Sequence, residues 1–262
     1  MAGSVARLSG AALGSAATRG YTKGMQHDAS LARVGSLAAF GLAAAYLASG
    51  VSAALMPPEL QGRPDVSPHV FWTVLSRHPL AHLAYHGCFV AAGLFGLAAV
   101  PVISSLVASA NRGVVLWSGS AAWLGFAVLA RSHLMELAFD RKVIPHYLTA
   151  TPAYQEAVHV VAGLALDVPD GVLTYGAIGA FCICVSWLGL SSGRLPRRLC
   201  ALGFAAGALY LAGWVGYGFG VRPLIVLSVG VGGGLVVPAW FAGLGLVLRQ
   251  RGLSVPRARA EG

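Results

Sequence analysis

Long uninterrupted apolar runs are the dominant feature of this 262-residue chain. Several of them reach about 20 residues, the length that an α-helix needs to cross the hydrocarbon core of a bilayer at a rise of about 1.5 Å per residue. The runs do not alternate between apolar and polar residues, as the strands of a membrane barrel do. Because lipid offers no hydrogen bonds to other backbone arrangements, the runs predict membrane-spanning α-helices.

The scarcity of charge supports the same conclusion. Only 10% of the residues are charged, 56% are hydrophobic, and the mean hydropathy is +0.71. Soluble domains carry about 25% charged residues, so a soluble fold of this composition would lack a polar surface. The four cysteines lie within or beside the apolar runs and form no Cys-x-x-Cys pair, which predicts small buried side chains and not a disulfide framework or a cysteine metal site.

Turns rich in proline, glycine and basic residues divide the apolar sequence into six segments. The predicted spans are about 31–55, 80–108, 114–138, 172–191, 199–219 and 224–248. We therefore expect an all-α, polytopic integral membrane protein, a bundle of about six transmembrane helices over residues 31–249. A polar basic tail at 1–30 precedes it and a basic tail at 250–262 follows. A partly apolar stretch at 153–166 predicts an additional helix at the membrane interface.

The distribution of charge predicts the orientation. With six spans, twelve of the 18 basic residues fall on the side that holds both tails and the turns near 112 and 192–198. Only two of the nine acidic residues, Asp28 and Glu261, share that side. Since basic residues in short loops are retained in the cytoplasm, both termini are predicted to be cytoplasmic.

The formal net charge of +9 is explained by this topology, so no nucleic-acid partner is expected. The expected partners are the lipid bilayer and other membrane subunits. A bacterial inner membrane is the default location. The basic N-terminal tail, which resembles a transit peptide in composition, keeps a mitochondrial inner membrane as the alternative.

Histidines gather on the side predicted to face away from the cytoplasm. Seven of the eight fall there: His69, His78, His82, His86, His133, His146 and His159. His78, His82 and His86 are spaced four residues apart, which places them on one face of a helix at the start of the second span. His133 and Glu136, three residues apart, share a face at the far end of the third span.

This pattern predicts a metal site formed by His82, His86, His133 and Glu136. Imidazole is the commonest metal ligand and suits zinc, copper and iron, and a carboxylate completes such a site. Two histidines on facing helices are also the ligands of haem. The alternative is a polar cluster at the membrane interface that water satisfies. Arg131 paired with Glu136 or Asp140 is a further alternative for the polar residues of the third span.

No phosphate loop, His-Glu-x-x-His motif or nucleophile elbow is present, so the reaction, if there is one, stays open. The first hypothesis is a non-catalytic or accessory subunit of a membrane complex. The second is a metal- or haem-binding membrane enzyme or redox subunit that uses the histidine cluster. The third is a small-molecule transporter, because Gly232, Gly233 and Gly234 in the sixth span are also typical of a hinged or broken helix.

The turn before the fifth span carries a specific basic pattern, SGRLPRRLCALG at 192–203. Together with Arg33 ahead of the first span and a final span that runs from Trp240 into Arg249, this turn resembles an uncharacterised bacterial family of six-span membrane proteins, the domain of unknown function 4386. The resemblance implies the six-span fold. It implies no activity and no site residue, since none is established for that family.

The topology can be tested with a reporter fused after Gly262. We expect an alkaline phosphatase fusion to be inactive and a green fluorescent protein fusion to be fluorescent, because both tails are predicted to be cytoplasmic. An active phosphatase fusion would overturn the predicted orientation.

Overall fold

The computed structural model describes residues 8–61, 66–165 and 170–253, and within these ranges the chain is helical with no strand. The helices are α1 (Leu8–Leu55), α2 (Pro68–Arg77), α3 (Pro79–Val107), α4 (Arg112–Tyr147), α5 (Pro152–Ala165), α6 (Asp170–Ser191), α7 (Arg197–Phe219), α8 (Arg222–Leu227) and α9 (Val237–Leu253). A 3₁₀ turn, Pro58–Leu60, lies between α1 and α2, and a π-helical segment, Ser228–Val236, joins α8 to α9.

Within the described part of the chain, six helical stretches are long and apolar enough to cross a membrane, which confirms the predicted all-α six-span bundle. They are Ala29–Leu55, Pro79–Val107, Arg112–Tyr147, Gly171–Ser191, Arg197–Phe219 and Arg222–Leu253. The orientation of the termini stays a prediction. Of the two predicted tails, residues 1–7 and 254–262 lie outside the described part of the chain.

Local sequence signals explain where the helices begin and end. The side chain of Asn111 accepts a hydrogen bond from the Val114 amide at 3.1 Å and caps the start of α4. Pro79 lacks an amide proton and separates α2 from α3. Gly220 ends α7 in the left-handed conformation, with φ of 67°, which glycine adopts without steric cost.

Helix α4 continues beyond the predicted end of the third span at 138 and reaches Tyr147. Arg141 and Lys142 suggest a loop in the sequence, but both are exposed while Val143 and Tyr147 are buried. The last turns of α4 are therefore an amphipathic extension of the span. After a short turn, α5 covers most of the predicted interfacial helix at 153–166.

The spanning helices form a closed ring. Neighbours pack in the order α1, α3, α4, α6, α7 and α9, and α9 packs back against α1. The centre of the ring is filled by fully buried side chains that include Leu42, Phe126, Phe181, Trp240 and Phe241. The fold is therefore one bundle with one main apolar core.

A second, smaller core lies where α2 and α5 cover one end of the bundle, hereafter the α2–α5 end. Trp72 and Leu75 of α2 pack there against Val143 and Tyr147 of α4 and Val158 of α5. The side chain of Gln155 donates a hydrogen bond to the carbonyl oxygen of Tyr147 at 2.8 Å. The charge distribution predicts that this end faces away from the cytoplasm.

Helices α3 and α4 approach each other unusually closely at Gly93 and Gly96. A Cβ atom added at Gly93 would lie 2.8 Å from both the amide nitrogen of Ala130 and the carbonyl oxygen of Phe126. One added at Gly96 would lie 2.3 Å from the Phe126 ring. Small residues allow such approaches in membrane bundles, and this one sets the separation of the two helices.

The glycine-rich part of the last span is continuous and not broken. Residues Ser228–Val236 form a π-helix, which carries the span through the run of glycines without interrupting its helical backbone. Gly232 packs against Leu209 and Tyr210 of α7, whereas nothing lies within 4 Å of a Cβ atom built at Gly230 or Gly234.

The close approach generates a stability prediction. Gly93→Ala should lower the free energy of unfolding by about 1–3 kcal/mol, because the added methyl group meets backbone atoms of α4 that cannot move independently. Thermal unfolding in detergent, followed by circular dichroism, measures the change. Gly87→Ala is the matched control on the same helix, since nothing lies within 4 Å of a Cβ atom built there. Equal melting temperatures for the two variants would contradict the role of Gly93.

Candidate metal centre

Two neighbouring helices supply all the polar side chains of the centre. On α3, His82 and His86 lie one turn apart on the same face. On α4, His133, Glu136 and Asp140 follow one another at spacings of three and four residues, which also places them on one face. Because α3 begins and α4 ends at the α2–α5 end, the two faces meet in two layers.

The inner layer contains His86, His133 and Glu136. The Nδ1 atoms of the two histidines are 2.8 Å apart. Glu136 Oε2 is in direct contact with His86 Nδ1 and lies 3.5 Å from His133 Nδ1. One ligand atom from each residue lies within 4.8 Å of the others, and no further group of three such residues occurs within the described ranges.

The outer layer is one turn nearer to the α2–α5 end. His82 Nε2 lies 3.2 Å from Asp140 Oδ2, and the two side chains are only 11% and 3% exposed. The ring of His82 lies beside that of His86, with centroids 4.4 Å apart. The other ring nitrogen of His82, Nδ1, is buried and has no hydrogen-bond partner among the described residues.

Aromatic rings enclose both layers. Phe89 stacks on His133 with centroids 4.5 Å apart, and Tyr85 meets His86 edge-on at 5.2 Å. Phe71 of α2 meets His82 edge-on at 5.8 Å, closing the centre from the α2–α5 end. Such walls exclude water, which strengthens the electrostatic interactions of the carboxylates with any cation between them.

The centre lies below the helix ends and not at the surface of the bundle. His86 follows Pro79 by seven residues, which at about 1.5 Å per residue puts it about 10 Å inside the start of α3. His86 is buried, while His133 and Glu136 are half-buried. Ionisable side chains at this depth are costly unless they are paired, and they commonly mark functional sites.

The structure brings together three of the four predicted ligands, His86, His133 and Glu136, and leaves the fourth, His82, in the adjacent layer. His78 lies at the junction of α2 and α3, so it does not share their face, and its side chain is exposed. Arg131 is exposed as well. Glu136 and Asp140 face histidines. Spacing along the sequence does not show whether these carboxylates pair with histidines or with Arg131.

Sequence reasoning missed a group of tyrosines inside the bundle, of which Tyr46 and Tyr210 are buried and Tyr85, Tyr175 and Tyr217 are half-buried. The ring centroids of Tyr85 and His133 are 6.3 Å apart. Tyr175 stacks on Tyr217 with centroids 5.2 Å apart and meets Tyr210 at 4.9 Å. The seven-residue spacing of Tyr210 and Tyr217 on one helix face was the available signal. The bundle interior near the centre is therefore polar as well as aromatic.

Two of the three separations within the inner layer match those of ligands that share one ion. Two atoms each about 2.1 Å from an ion lie about 3.0 Å apart at a right angle and about 3.4 Å apart at the tetrahedral angle. The 2.8 Å and 3.5 Å separations that involve His133 Nδ1 fall close to these values. The third pair, His86 Nδ1 and Glu136 Oε2, is in direct contact, so binding one ion between all three residues requires these two side chains to separate slightly.

Comparisons with known proteins add no assignment: no family model, curated protein or solved structure matches the chain. The resemblance of residues 192–203 to the domain of unknown function 4386 stays a prediction.

The outer layer generates its own stability prediction. Asp140→Asn keeps the side-chain size but removes the charge that faces His82, so the free energy of unfolding should fall by about 1–3 kcal/mol. Glu156→Gln is the control, because that carboxylate lies 3.8 Å from His159 with its side chain 76% exposed. We expect the control to unfold like the parent protein. An Asp140→Asn variant as stable as the control would show that the buried pair contributes nothing.

Proposed function

We propose that this protein is a membrane metalloprotein that binds a divalent transition-metal ion between α3 and α4. The ligand atoms are Nδ1 of His86, Nδ1 of His133 and Oε2 of Glu136. The observation that supports this most strongly is the convergence of these three atoms, from two helices, among one buried and two half-buried side chains. Two of these groups could satisfy each other by a hydrogen bond, so the convergence of a third group favours a shared ion.

The ligand chemistry narrows the choice of ion. Imidazole and carboxylate suit zinc, iron and copper, whereas calcium and magnesium prefer ligand sets made of oxygen. Three protein ligands leave at least one coordination position free. Reactive zinc sites and non-haem iron sites are built in this way, whereas structural zinc sites are closed by four protein ligands. An enzyme or redox subunit is therefore the form of metalloprotein that we favour.

The same geometry argues against haem as the bound group. A porphyrin ligated from both faces needs its two axial nitrogens about 4 Å apart, twice the usual metal–nitrogen distance. The Nδ1 atoms of His86 and His133 are 2.8 Å apart, and Glu136 occupies the remaining side. We accordingly favour a single ion among the predicted cofactors zinc, copper, iron and haem.

His82 and Asp140 fit a supporting role in this proposal. Side chains that contact metal ligands hold them in the binding orientation, and their loss commonly costs 10–100-fold in affinity. The ring of His82 packs on that of His86, and Asp140 holds His82. We expect His82→Ala to weaken metal binding at this centre and His86→Ala to abolish binding at this centre.

A metal centre is compatible with a role as a subunit of a larger membrane complex, which the short loops suggest. A metal-binding subunit and an accessory subunit differ in whether the isolated chain carries the ion. The transporter hypothesis rested on a broken sixth span, and the continuous π-helical segment at Ser228–Val236 gives it no support.

Metal analysis of the purified protein tests the proposal. The chain should be isolated in detergent through a tag without histidines, since a polyhistidine tag would bind metal itself. Glu136→Gln and His133→Ala should each carry one ion per chain fewer than the parent protein, because each removes one of three ligands. His146→Ala is the matched control, since this histidine lies near the end of α4 with its side chain exposed.

Three outcomes of that measurement would contradict the proposal. The first is a parent protein without stoichiometric zinc, iron or copper after reconstitution. The second is a folded Glu136→Gln and His133→Ala pair with an unchanged metal content. The third is a haem Soret band in the visible spectrum, which would replace the single ion by a porphyrin.

A further inference from the structure

A second group of histidines lies at the α2–α5 end, outside the metal centre. It is formed by one residue from each of three helices: His69 in the first turn of α2, Tyr147 at the end of α4 and His159 in α5. The hydroxyl oxygen of Tyr147 lies 2.7 Å from His159 Nε2 and 3.2 Å from His69 Nδ1. Two imidazole nitrogens therefore converge on one phenol oxygen.

The phenol of Tyr147 is the polar group at the centre of this convergence. Tyr147 is fully buried and its ring packs against Trp72 with centroids 6.0 Å apart, so its hydroxyl needs hydrogen-bond partners within the protein. A phenol donates one hydrogen bond and accepts another, so one histidine can accept its proton while the other donates to its oxygen. Two imidazole nitrogens with a phenol oxygen are also a donor set for a divalent ion such as Cu²⁺ or Zn²⁺.

The spacing of the rings fits such an ion. An imidazole bound at about 2.1 Å has its ring centroid about 3.2 Å from the ion, so two imidazoles on opposite sides of one ion have centroids about 6.4 Å apart. The centroids of His69 and His159 are 6.5 Å apart. At the tetrahedral angle the expected separation is about 5.2 Å, close to the 4.9 Å between His86 and His133 in the buried centre.

Water reaches this second group through His69, whereas no residue of the inner layer is fully exposed. His69 is exposed and His159 is half-buried. The exposed carboxylate of Glu156 lies 3.8 Å from His159 Nδ1, on the ring nitrogen that does not face Tyr147. At 3.8 Å this contact is longer than a hydrogen bond, so the carboxylate adds negative charge near the site without fixing the ring of His159.

Two aromatic side chains, Trp72 and Phe71, link the two groups through successive ring contacts. Trp72 contacts Tyr147 on one side and Phe71 on the other, with centroids 6.0 Å and 5.6 Å apart. Phe71 then contacts His82 at 5.8 Å. The unpartnered, buried Nδ1 of His82 is the next free ligand atom inward, and its ring lies against that of His86.

We propose that His69, Tyr147 and His159 form a second, water-accessible site that captures a divalent copper or zinc ion and passes it, through His82, to the buried centre. This inference rests on the proposed function of that centre. No electron is transferred. The ion replaces the phenol proton of Tyr147, which is released to water, and Tyr147 takes up a proton again when the ion moves inward.

The test compares the number of bound ions in three forms of the full chain. Protein in detergent, purified without a histidine tag and stripped with a chelator, is titrated with Zn²⁺ alone. We expect two ions per chain for the parent protein, one for the double variant His69→Ala/His159→Ala, and one for His133→Ala. The control is His78→Ala/His146→Ala, which removes two exposed histidines near the same end and should keep both ions.

The rate of loading distinguishes a capture site from an unconnected one. After rapid mixing with Zn²⁺ released from a coloured chelator, the buried site of His69→Ala/His159→Ala should fill at least tenfold more slowly than that of the parent. Tyr147→Phe is a gentler variant that keeps the buried ring and its packing. It should also lose one ion, together with the phenolate-to-copper charge-transfer band that the Cu²⁺-loaded parent shows.

Each result that differs from these expectations identifies which of the two proposed sites is wrong. If folded His69→Ala/His159→Ala and Tyr147→Phe keep both ions and the parental loading rate, the capture site does not exist, while loss of one ion in His133→Ala still supports the buried centre. If His133→Ala keeps every ion, the proposed function fails. A parent protein that binds no Zn²⁺ and no Cu²⁺ overturns both.

Discussion

The close approach of α3 to α4 is the constraint on which the rest of the molecule depends. Gly93 lets the backbone of α3 rest against backbone atoms of Ala130 and Phe126 of α4, and Gly96 makes room for the Phe126 ring. Two turns from Gly93 toward the α2–α5 end, the same approach leaves room for only one layer of side chains between the helices, and His86 and His133 meet there at 2.8 Å. The distance between the two imidazoles therefore depends on how closely α3 and α4 pack.

The α2–α5 end covers the polar layers between α3 and α4 and also carries ligands that water can reach. Phe71 and Trp72 of α2 cover the polar layers with aromatic rings, so the histidines and carboxylates sit in a medium where a cation is strongly held. The same short helix carries His69 to the exposed side of that cover. The helices of the α2–α5 end therefore both cover the buried site and carry exposed ligands. Hydrogen bonds to Tyr147 connect these helices to α4.

The sequence was most informative where one physical rule decided the outcome. Apolar length predicted the six spans, and the four-residue spacing of His82 and His86 placed them on one helix face, because both depend only on local geometry. Which residues face each other across two helices depends on how the helices are aligned, and the sequence does not give that alignment. Asp140 was beyond the predicted end of its span, yet it faces His82 because α4 continues to Tyr147. His78 has the same four-residue spacing but does not lie on the helix face of His82 and His86, because Pro79 begins a new helix.

X-ray absorption at the metal edge of the reconstituted protein tests the central claim most directly. The account predicts a first shell of nitrogen and oxygen at about 2.0–2.2 Å with the outer-shell scattering of imidazole rings, reduced when His133 is replaced by alanine. It also predicts no sulfur neighbour, although the chain has four free cysteines. A shell at about 2.3 Å from sulfur, or a spectrum that matches the hydrated ion, would contradict a centre built from His86, His133 and Glu136.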